Sequence, residues 1–183
     1  IILPAFLILG YGSALGQYEI EPIHSTQSSY LNNSTRADLG TGDNRACLPV
    51  QIPNNTVEWY YSFSISKDSS SANLQLYNQL INSFDPTGIS SLAFQAITVP
   101  EGQARCNVYV TDYSNGIAFD SNQNSSYFPS ASRMNFTHGV VRVKDISLKE
   151  LFICFENPAV WKGVTIRIEV DALVIKNQDL SSN

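Results

Sequence analysis

The last third of the chain contains three short runs of β-branched and aromatic residues, and this feature most constrains the fold. The runs lie within residues 139–144, 151–158 and 163–175. In the last run apolar side chains alternate with polar ones: Val164, Ile166, Ile168 and Val170 against Thr165, Arg167 and Glu169. A period of two places one set on a buried face and the other in water. Strands of this kind at close spacing predict an antiparallel β-sandwich.

Length and charge set the class of protein. The chain has 183 residues, 43% hydrophobic and 15% charged, which is enough for one domain with a sizeable core. Its formal net charge is −5, and its 11 Lys and Arg residues are scattered along the sequence. A domain that grips a phosphate backbone shows a clustered basic face. The sequence therefore argues against nucleic-acid binding, and anionic membrane surfaces are disfavoured for the same reason.

The N-terminus has the pattern of an export signal. Residues 1–9 are apolar, and residues 14–16, Ala-Leu-Gly, place small side chains at positions −3 and −1 before Gln17. The apolar run is shorter than the roughly 20 residues that a membrane span needs, so no transmembrane span is expected. We interpret residues 1–16 as a signal peptide or hydrophobic N-terminal segment. The sequence therefore predicts a secreted protein that is extracellular, on the cell surface or periplasmic.

Composition divides the rest of the chain into three parts. Residues 17–45 are rich in Ser, Asn and Gly, which predicts a polar extension or linker. The β-sandwich domain is predicted over residues 46–176. A polar tail is predicted over residues 177–183.

Inside the predicted domain the hydrophobic period changes once. Residues 57–66 alternate, which predicts a strand with an aromatic inner face of Trp59, Tyr61, Phe63 and Ile65. Apolar residues then recur at three-to-four spacing between Leu74 and Phe84, which predicts one short amphipathic helix that plugs an end of the sandwich. Further strands are predicted over 47–52, 89–99 and 106–112, and a long polar loop over 113–134.

The three cysteines, Cys47, Cys106 and Cys154, cannot all pair within one chain. In an oxidising compartment one bridge and one free thiol would result. A buried cysteine also behaves as a small hydrophobic residue, so the paired and unpaired states both stay open. If a bridge forms, we expect Cys154 to be a member, with Cys106 or Cys47 as its partner. No cysteine and histidine spacing suggests zinc, and no cofactor is expected.

Three segments together carry a family resemblance: Asn-Thr-Val-Glu-Trp-Tyr-Tyr-Ser-Phe-Ser at 55–64, Ser-Arg-Met-Asn-Phe-Thr-His-Gly-Val-Val at 132–141, and Phe-Glu-Asn-Pro-Ala-Val-Trp-Lys-Gly-Val at 155–164. The chain resembles a group of exported, largely uncharacterised β-sandwich proteins of Bacteroidota-type bacteria. Its closing strands are similar in pattern to jelly-roll modules of the GOLD and pre-peptidase C-terminal kinds. The resemblance implies a jelly-roll-like sandwich. Jelly-roll families include binding, adhesion and assembly modules, so the resemblance does not choose among these functions.

Four aromatic residues are candidates for a ligand-binding surface: Tyr113, Phe119, Tyr127 and Trp161. Asn157-Pro158 and Lys162-Gly163 place Trp161 in a turn between two strands. An exposed tryptophan there would contact a sugar ring or a protein partner. Alternatively the indole folds back over the end of the sandwich, which is the interpretation that the pattern favours.

Oxygen-bearing side chains around Gly116 offer a candidate calcium site: Asp112, Asn115 and Asp120. They lack the regular Asp-x-Asp-x-Asp spacing of a calcium loop. Because Asp and Asn are also ordinary turn residues, the pattern favours a turn over a metal site.

The sequence contains no arrangement that indicates catalysis. No Gly-x-Ser-x-Gly motif occurs, and His24 and His138 have no carboxylate-rich cluster beside them. We therefore expect an exported, non-enzymatic module that binds a protein partner or itself, or serves as an accessory component, at the cell envelope. One alternative is a structural subunit of an extracellular filament or sheath, in which residues 17–45 add as a strand to a neighbouring sheet. A second is a lectin-like module that binds a glycan through Trp161 and the 113–128 loop.

Overall fold

The computed structural model describes residues 18–67, 73–84 and 91–176. The strands in this part of the chain are β1 (Tyr18–Leu31), β2 (Arg45–Gln51), β3 (Thr56–Ser66), β4 (Cys106–Asp112), β5 (Arg133–Phe136), β6 (His138–Val143), β7 (Glu150–Glu156) and β8 (Val164–Ile175). The helices are α1 (Ser34–Asp38), α2 (Leu76–Ser83), α3 (Ser91–Gln95) and α4 (Tyr113–Asp120).

The strands form two antiparallel four-stranded sheets. Sheet A has the order β1-β8-β3-β6 and sheet B the order β2-β7-β4-β5. Strand β1 pairs with β8, β2 with β7, β3 with β6 and β4 with β5, as if one long hairpin had been rolled up. Additional β3–β8 and β4–β7 pairing completes the roll. This is the arrangement of an eight-stranded jelly roll, so the predicted jelly-roll-like β-sandwich is confirmed.

The core lies between the sheets and is supplied by the alternating residues that the sequence predicts. Trp59, Tyr61, Phe63 and Ile65 of β3 are all fully buried in one apolar cluster, together with the apolar set of β8. Burying a large apolar side chain contributes about 1.5–3 kcal/mol, so these two strands supply a major share of the hydrophobic stabilisation. The predicted inner face of residues 57–66 is therefore confirmed.

The linker predicted over 17–45 is wrong for the described residues 18–45. Strand β1 pairs with β8 from Tyr18 opposite Ile175 to Leu31 opposite Val164, with irregular register near His24. One face of a polar edge strand can be exposed to water while its backbone pairs with the adjacent strand. Amino-acid composition does not indicate that pairing. The domain therefore includes residues from Tyr18 onward. Strand β1 is the edge strand of its own sheet, and the filament or sheath alternative, in which residues 17–45 add to a neighbouring sheet, stays a prediction.

Three further elements differ from the prediction. Residues 89–99 were expected to be a strand, but α3 occupies part of this range. The predicted polar loop over 113–134 contains α4, which begins where Asp112 Oδ1 accepts a hydrogen bond from Asn115 N at 2.8 Å. The predicted amphipathic helix exists as α2, but it covers the outer face of sheet A instead of plugging the sandwich end. Its contacts there are Leu76 and Leu80 against Tyr60 and Leu173.

The structure contains a disulfide between Cys47 and Cys154. These residues lie directly opposite each other in β2 and β7, with their Cα atoms 4.0 Å apart. Cys106, the other partner considered, lies in the core between the sheets and remains a buried free thiol. Cys154 points to the outer face of sheet B, towards α4. The sulfur atoms of Cys106 and Cys154 therefore lie on opposite faces of sheet B, and this excludes a bridge between them.

Polar side chains are buried on the outer face of sheet A, under α2. Glu169 accepts hydrogen bonds from Leu76 N at 2.6 Å and from Thr26 Oγ1. Asp171, 1% exposed, has an Oδ2 atom without a hydrogen-bond partner among the described residues, and so has Ser62 Oγ. Burial, followed by the negative charge of Glu169, raises the pKa of Asp171 to about 7.

We predict that Asp171→Asn makes the protein less sensitive to rising pH. The pKa of this carboxyl group is higher in the folded chain than in the unfolded chain. Its contribution to the free energy of unfolding is therefore fully present below about pH 4 and is lost as the pH rises to about 7. Asparagine does not titrate. The free energy of unfolding of the variant, relative to wild type, should therefore rise by roughly 1–2.5 kcal/mol between pH 5 and pH 8. Urea denaturation at both pH values measures this, with the exposed Asp145→Asn as control. Parallel pH curves for wild type and Asp171→Asn would contradict it.

We predict that the Cys47→Ala/Cys154→Ala variant loses about 2–5 kcal/mol of unfolding free energy, because a bridge between residues far apart in sequence constrains the unfolded chain. Urea denaturation with and without a thiol reductant measures the effect. Reductant should bring wild type to the level of the variant. Cys106→Ala is the matched control and should keep the full response to reductant. A Cys106→Ala protein that no longer responds would overturn the assignment.

Candidate functional site

One end of the sandwich, here called the tryptophan end, consists of α1, residues 39–45, the loop 157–163 between β7 and β8, and the turn after α4. Trp161 lies in the loop, and its side chain is 81% exposed. The interpretation that this indole folds back over the sandwich is therefore wrong. A tryptophan exposed to this extent is available for contact with a ligand or partner.

Asn157 holds the loop in place. It is fully buried, and its Nδ2 donates to Asn32 O and Lys162 O, both at 2.8 Å. Its Oδ1 accepts from Ala159 N at 3.0 Å, and its backbone N–H donates to Asn44 O at 2.8 Å. The side chain thus ties the loop to the segment at Asn32, and the backbone N–H ties it to the segment at Asn44. A loop fixed in this way presents Trp161 without a large entropy cost on binding.

Helix α1 packs against the same loop. Ser34 N donates to Ala159 O at 2.9 Å, and Thr35 Oγ1 donates to Val160 O at 2.8 Å. The Asn33 side chain caps the helix by accepting from Arg36 N. Large apolar side chains at this end are exposed besides Trp161: Tyr30, Leu39 and Val160. The tryptophan end therefore combines a fixed backbone with exposed apolar groups.

A pocket of about 550 Å³ opens at this end. It is lined by Ala37, Asp38, Asp43, Asn44, Arg45, Asp120 and Asn122. In the described part of the chain the carboxylates of Asp38, Asp43 and Asp120 make no hydrogen bond or ion pair. Ionised carboxylates only accept hydrogen bonds, so this pocket suits a ligand that offers several donors. The loop that carries Trp161 is hydrogen-bonded to both α1 and Asn44, which place residues in the pocket wall.

Arg45 forms the base of the pocket wall and is held by Glu156, its cross-strand neighbour. Arg45 Nε and Nη2 donate to Glu156 Oε1 at 3.0 and 2.7 Å, and Nη1 donates to Asn122 Oδ1 at 2.6 Å. Tyr109 Oη and Asn107 Nδ2 donate to the other carboxylate oxygen of Glu156. Burial on its own would raise the pKa of Glu156, but these hydrogen bonds outweigh it and hold the pKa below its usual value. Glu156 therefore stays ionised and keeps Arg45 in position.

The other predicted aromatic residues are only partly brought together. Phe119 is buried under the Arg45 guanidinium, 4.8 Å from ring centre to Cζ. Tyr109 contacts both Phe119 and the half-exposed Tyr127, each at a ring distance of 5.2 Å. Tyr113 lies against Phe152 at the far end of α4. Strand β7 separates Tyr113 from the tryptophan end, and its seven residues span roughly 20 Å. Tyr113 and Trp161 therefore do not share a binding surface.

The structure does not assemble the predicted calcium ligands. Asp112 caps the start of α4, and hydrogen bonds from Asn115 N and Ser114 Oγ lower its pKa. Asp120 ends the same helix, about 12 Å further along its axis. Asp112 and Asn115 instead bond to each other, with Nδ2 of Asn115 donating to Asp112 Oδ2 at 2.8 Å. Among residues 18–67, 73–84 and 91–176, no three His, Cys, Asp or Glu residues are grouped so that they could hold a metal ion.

Sequence reasoning missed Asp38, Asp43, Asn44 and Arg45, because all of them lie in the segment interpreted as a linker. The one available signal is the pair of charged residues Arg45 and Glu156, which become neighbours only after β2 and β7 are placed in register.

No protein-family model matches the chain, and no curated protein has a significantly similar sequence. Neither comparison links it to exported proteins of Bacteroidota-type bacteria, so that resemblance stays a prediction. None of the helices in the described part of the chain has the length and apolar composition that crossing a membrane requires.

Proposed function

We propose that this protein is an exported, non-enzymatic binding module whose tryptophan end binds carbohydrate. The observation that carries the proposal is an indole 81% exposed on a loop that is hydrogen-bonded to α1 and Asn44, which contribute to the wall of a pocket with three unengaged carboxylates. A pyranose ring has an apolar C–H face and a rim of hydroxyl groups. Its face would pack on Trp161, while its hydroxyl groups would enter the pocket.

The hydrogen-bonding groups of the pocket suit hydroxyl groups. Asp38, Asp43 and Asp120 accept hydrogen bonds, and Asn122 keeps its amide N–H groups for donation because its Oδ1 is used by Arg45. A hydroxyl group both donates and accepts, so neighbouring sugar hydroxyls can satisfy acceptors and donors together. Because the carboxylates are not grouped around one point in the described structure, a polyol fits them better than a metal ion does.

A second candidate is a protein partner at the same surface. Tyr30, Leu39 and Val160 extend the exposed apolar area around Trp161. Exposed apolar patches with aromatic residues are typical of protein interfaces. Leu39→Ser and Val160→Ser separate the two candidates, since they should weaken a protein interface and leave the binding of a short oligosaccharide in place.

Two observations support export and a location at the cell envelope or outside the cell. The Cys47–Cys154 disulfide is typical of oxidising compartments. The apolar run at 1–9 and the small residues at 14–16 predict cleavage before Gln17. Residues 1–17 lie outside the described residues, and the cleavage site before Gln17 is predicted from the sequence alone.

We predict that Trp161→Ala weakens oligosaccharide binding by about tenfold or more, because the variant removes the surface on which the sugar ring packs. A glycan array identifies the ligand, and isothermal titration calorimetry measures the affinity. Tyr113→Ala is the matched control, an exposed aromatic residue at the far end of α4, and should bind as wild type. Equal glycan binding by Trp161→Ala and wild type would overturn the carbohydrate proposal.

We predict that the protein purified from its native host has an intact mass that starts at Gln17 and is lower by two hydrogen atoms than the fully reduced chain. The first result reports cleavage and the second the disulfide. Reduction before mass spectrometry provides the control. A mass that includes residues 1–16, or three free thiols, would contradict export.

A further inference from the structure

We propose that the opposite end of the sandwich holds a second ligand site, selective for a small organic carboxylate. A pocket of about 330 Å³ lies there, where β2 turns into β3 and β6 turns into β7. Its volume is at the lower end of the range of small-molecule sites. We call it the mouth pocket. It lies at the far end of β3 and β8 from Trp161, so this site does not depend on the carbohydrate proposal.

The inner wall of the mouth pocket is apolar. Trp59 and Val143 are core residues, and Ile52 and Ile146 pack against the same core. Ile52 N donates to Lys149 O at 2.7 Å, which ties the two turns together beside the pocket. This wall can take the hydrocarbon part of a ligand without exposing polar backbone groups.

A hydrogen-bond donor at this pocket is unused. Trp59 is 1% exposed and lines the mouth pocket, yet its Nε1–H has no hydrogen-bond partner among the described residues. A buried donor without a partner is unfavourable, and the indole nitrogen can only donate. The ligand that fits this group must therefore provide an acceptor atom.

The rim of the pocket is positively charged in a chain whose net charge is −5. Lys144 and Lys149 both line it. Glu58 also lines the pocket, and Arg142 compensates its carboxylate with hydrogen bonds of 2.9 and 2.8 Å. Lys144 Nζ lies 3.4 Å from the same carboxylate, and the Lys144 side chain is 58% exposed. Among residues 18–67, 73–84 and 91–176, Lys149 Nζ bonds only the neutral Asn54 amide. An anionic group is therefore favoured at the rim.

These three features select one chemical class. An apolar wall takes a hydrocarbon chain or ring, an unused N–H requires an acceptor, and two lysines favour negative charge. A carboxylate with a short apolar body provides all three. A neutral amide of the same shape provides the apolar body and the acceptor atom but not the negative charge. Comparison of the two ligands therefore distinguishes a charge-selective site from a pocket that binds any apolar ligand of this size.

The experiment uses the two tryptophans of the chain. In a Trp161→Phe variant of the whole protein, Trp59 gives the one remaining indole N–H signal in a ¹H–¹⁵N NMR spectrum. We titrate this variant with butanoate, hexanoate, octanoate and benzoate, and with the matching amides. We expect a saturable shift of the Trp59 indole signal with at least one carboxylate, and about tenfold weaker binding of its amide.

Charge variants provide the control. Lys144→Met/Lys149→Met should weaken carboxylate binding by about tenfold, whereas Lys67→Met/Lys162→Met removes the same charge at the opposite end of β3 and should leave it unchanged. The dispersion of the backbone spectrum shows that each variant is folded. The proposal is overturned if no carboxylate shifts the Trp59 signal saturably below about 10 mM, if the amide binds equally well, or if both lysine pairs have the same effect. Glycan binding by Trp161→Ala tests the carbohydrate proposal at the tryptophan end and has no consequence for the carboxylate proposal at the mouth pocket.

Discussion

The rest of the structure depends on strand β8, which pairs with β1 on one side and with β3 on the other. These two ladders close sheet A of the jelly roll, and the inner face of β8 supplies Val164, Ile166, Ile168 and Val170 to the core. The ends of β8 also fix the two pockets. Its first residue follows the loop that presents Trp161, and its last residue, Ile175, donates a backbone hydrogen bond at 3.0 Å to Asn55 in the wall of the mouth pocket. The position of one central strand therefore determines the geometry at both ends.

The two ends differ in charge, and the difference follows from the segments that close them. At the tryptophan end, α1, the segment after it and the turn after α4 bring Asp38, Asp43 and Asp120 to one pocket. Arg45, the one cation among the described residues of its wall, is already bound to Glu156. At the mouth pocket two lysines meet a carboxylate that Arg142 already compensates. One pocket therefore offers acceptors and the other offers positive charge. Ligands suited to one pocket would be repelled or left unsatisfied in the other.

The sequence predicted the elements whose side chains alternate between core and solvent, and missed those that local composition cannot identify. Strands β3, β4 and β8 follow the period of two. Strand β1 does not, because it is a polar edge strand with an irregular register, and its place is set by pairing with β8. Helix α4 lies tightly on β7 at Gly116, where a side chain would collide with Phe152. Its other buried residue is Phe119, and a glycine and one aromatic residue do not form an apolar stripe that the sequence pattern would show. Trp161 was recognisable as a loop residue. The pocket at the same end joins residues near 40 with residues near 120, and only tertiary pairing reveals that proximity.

Trp161, the residue proposed to bind carbohydrate, contributes little to the stability of the fold. The core, the β8 ladders and the Cys47–Cys154 disulfide hold the sandwich together without Trp161, whose indole is largely in water. An exposed indole adds little to stability, since the hydrophobic contribution comes from area removed from water. Trp59 is the opposite case, because its side chain fills the core, the residue lines the mouth pocket, and its N–H group has no hydrogen-bond partner among the described residues. Substitution of Trp161 therefore tests binding without a large change in stability. The role of Trp59 is tested by observing its indole N–H signal, because substitution of Trp59 would disturb the core.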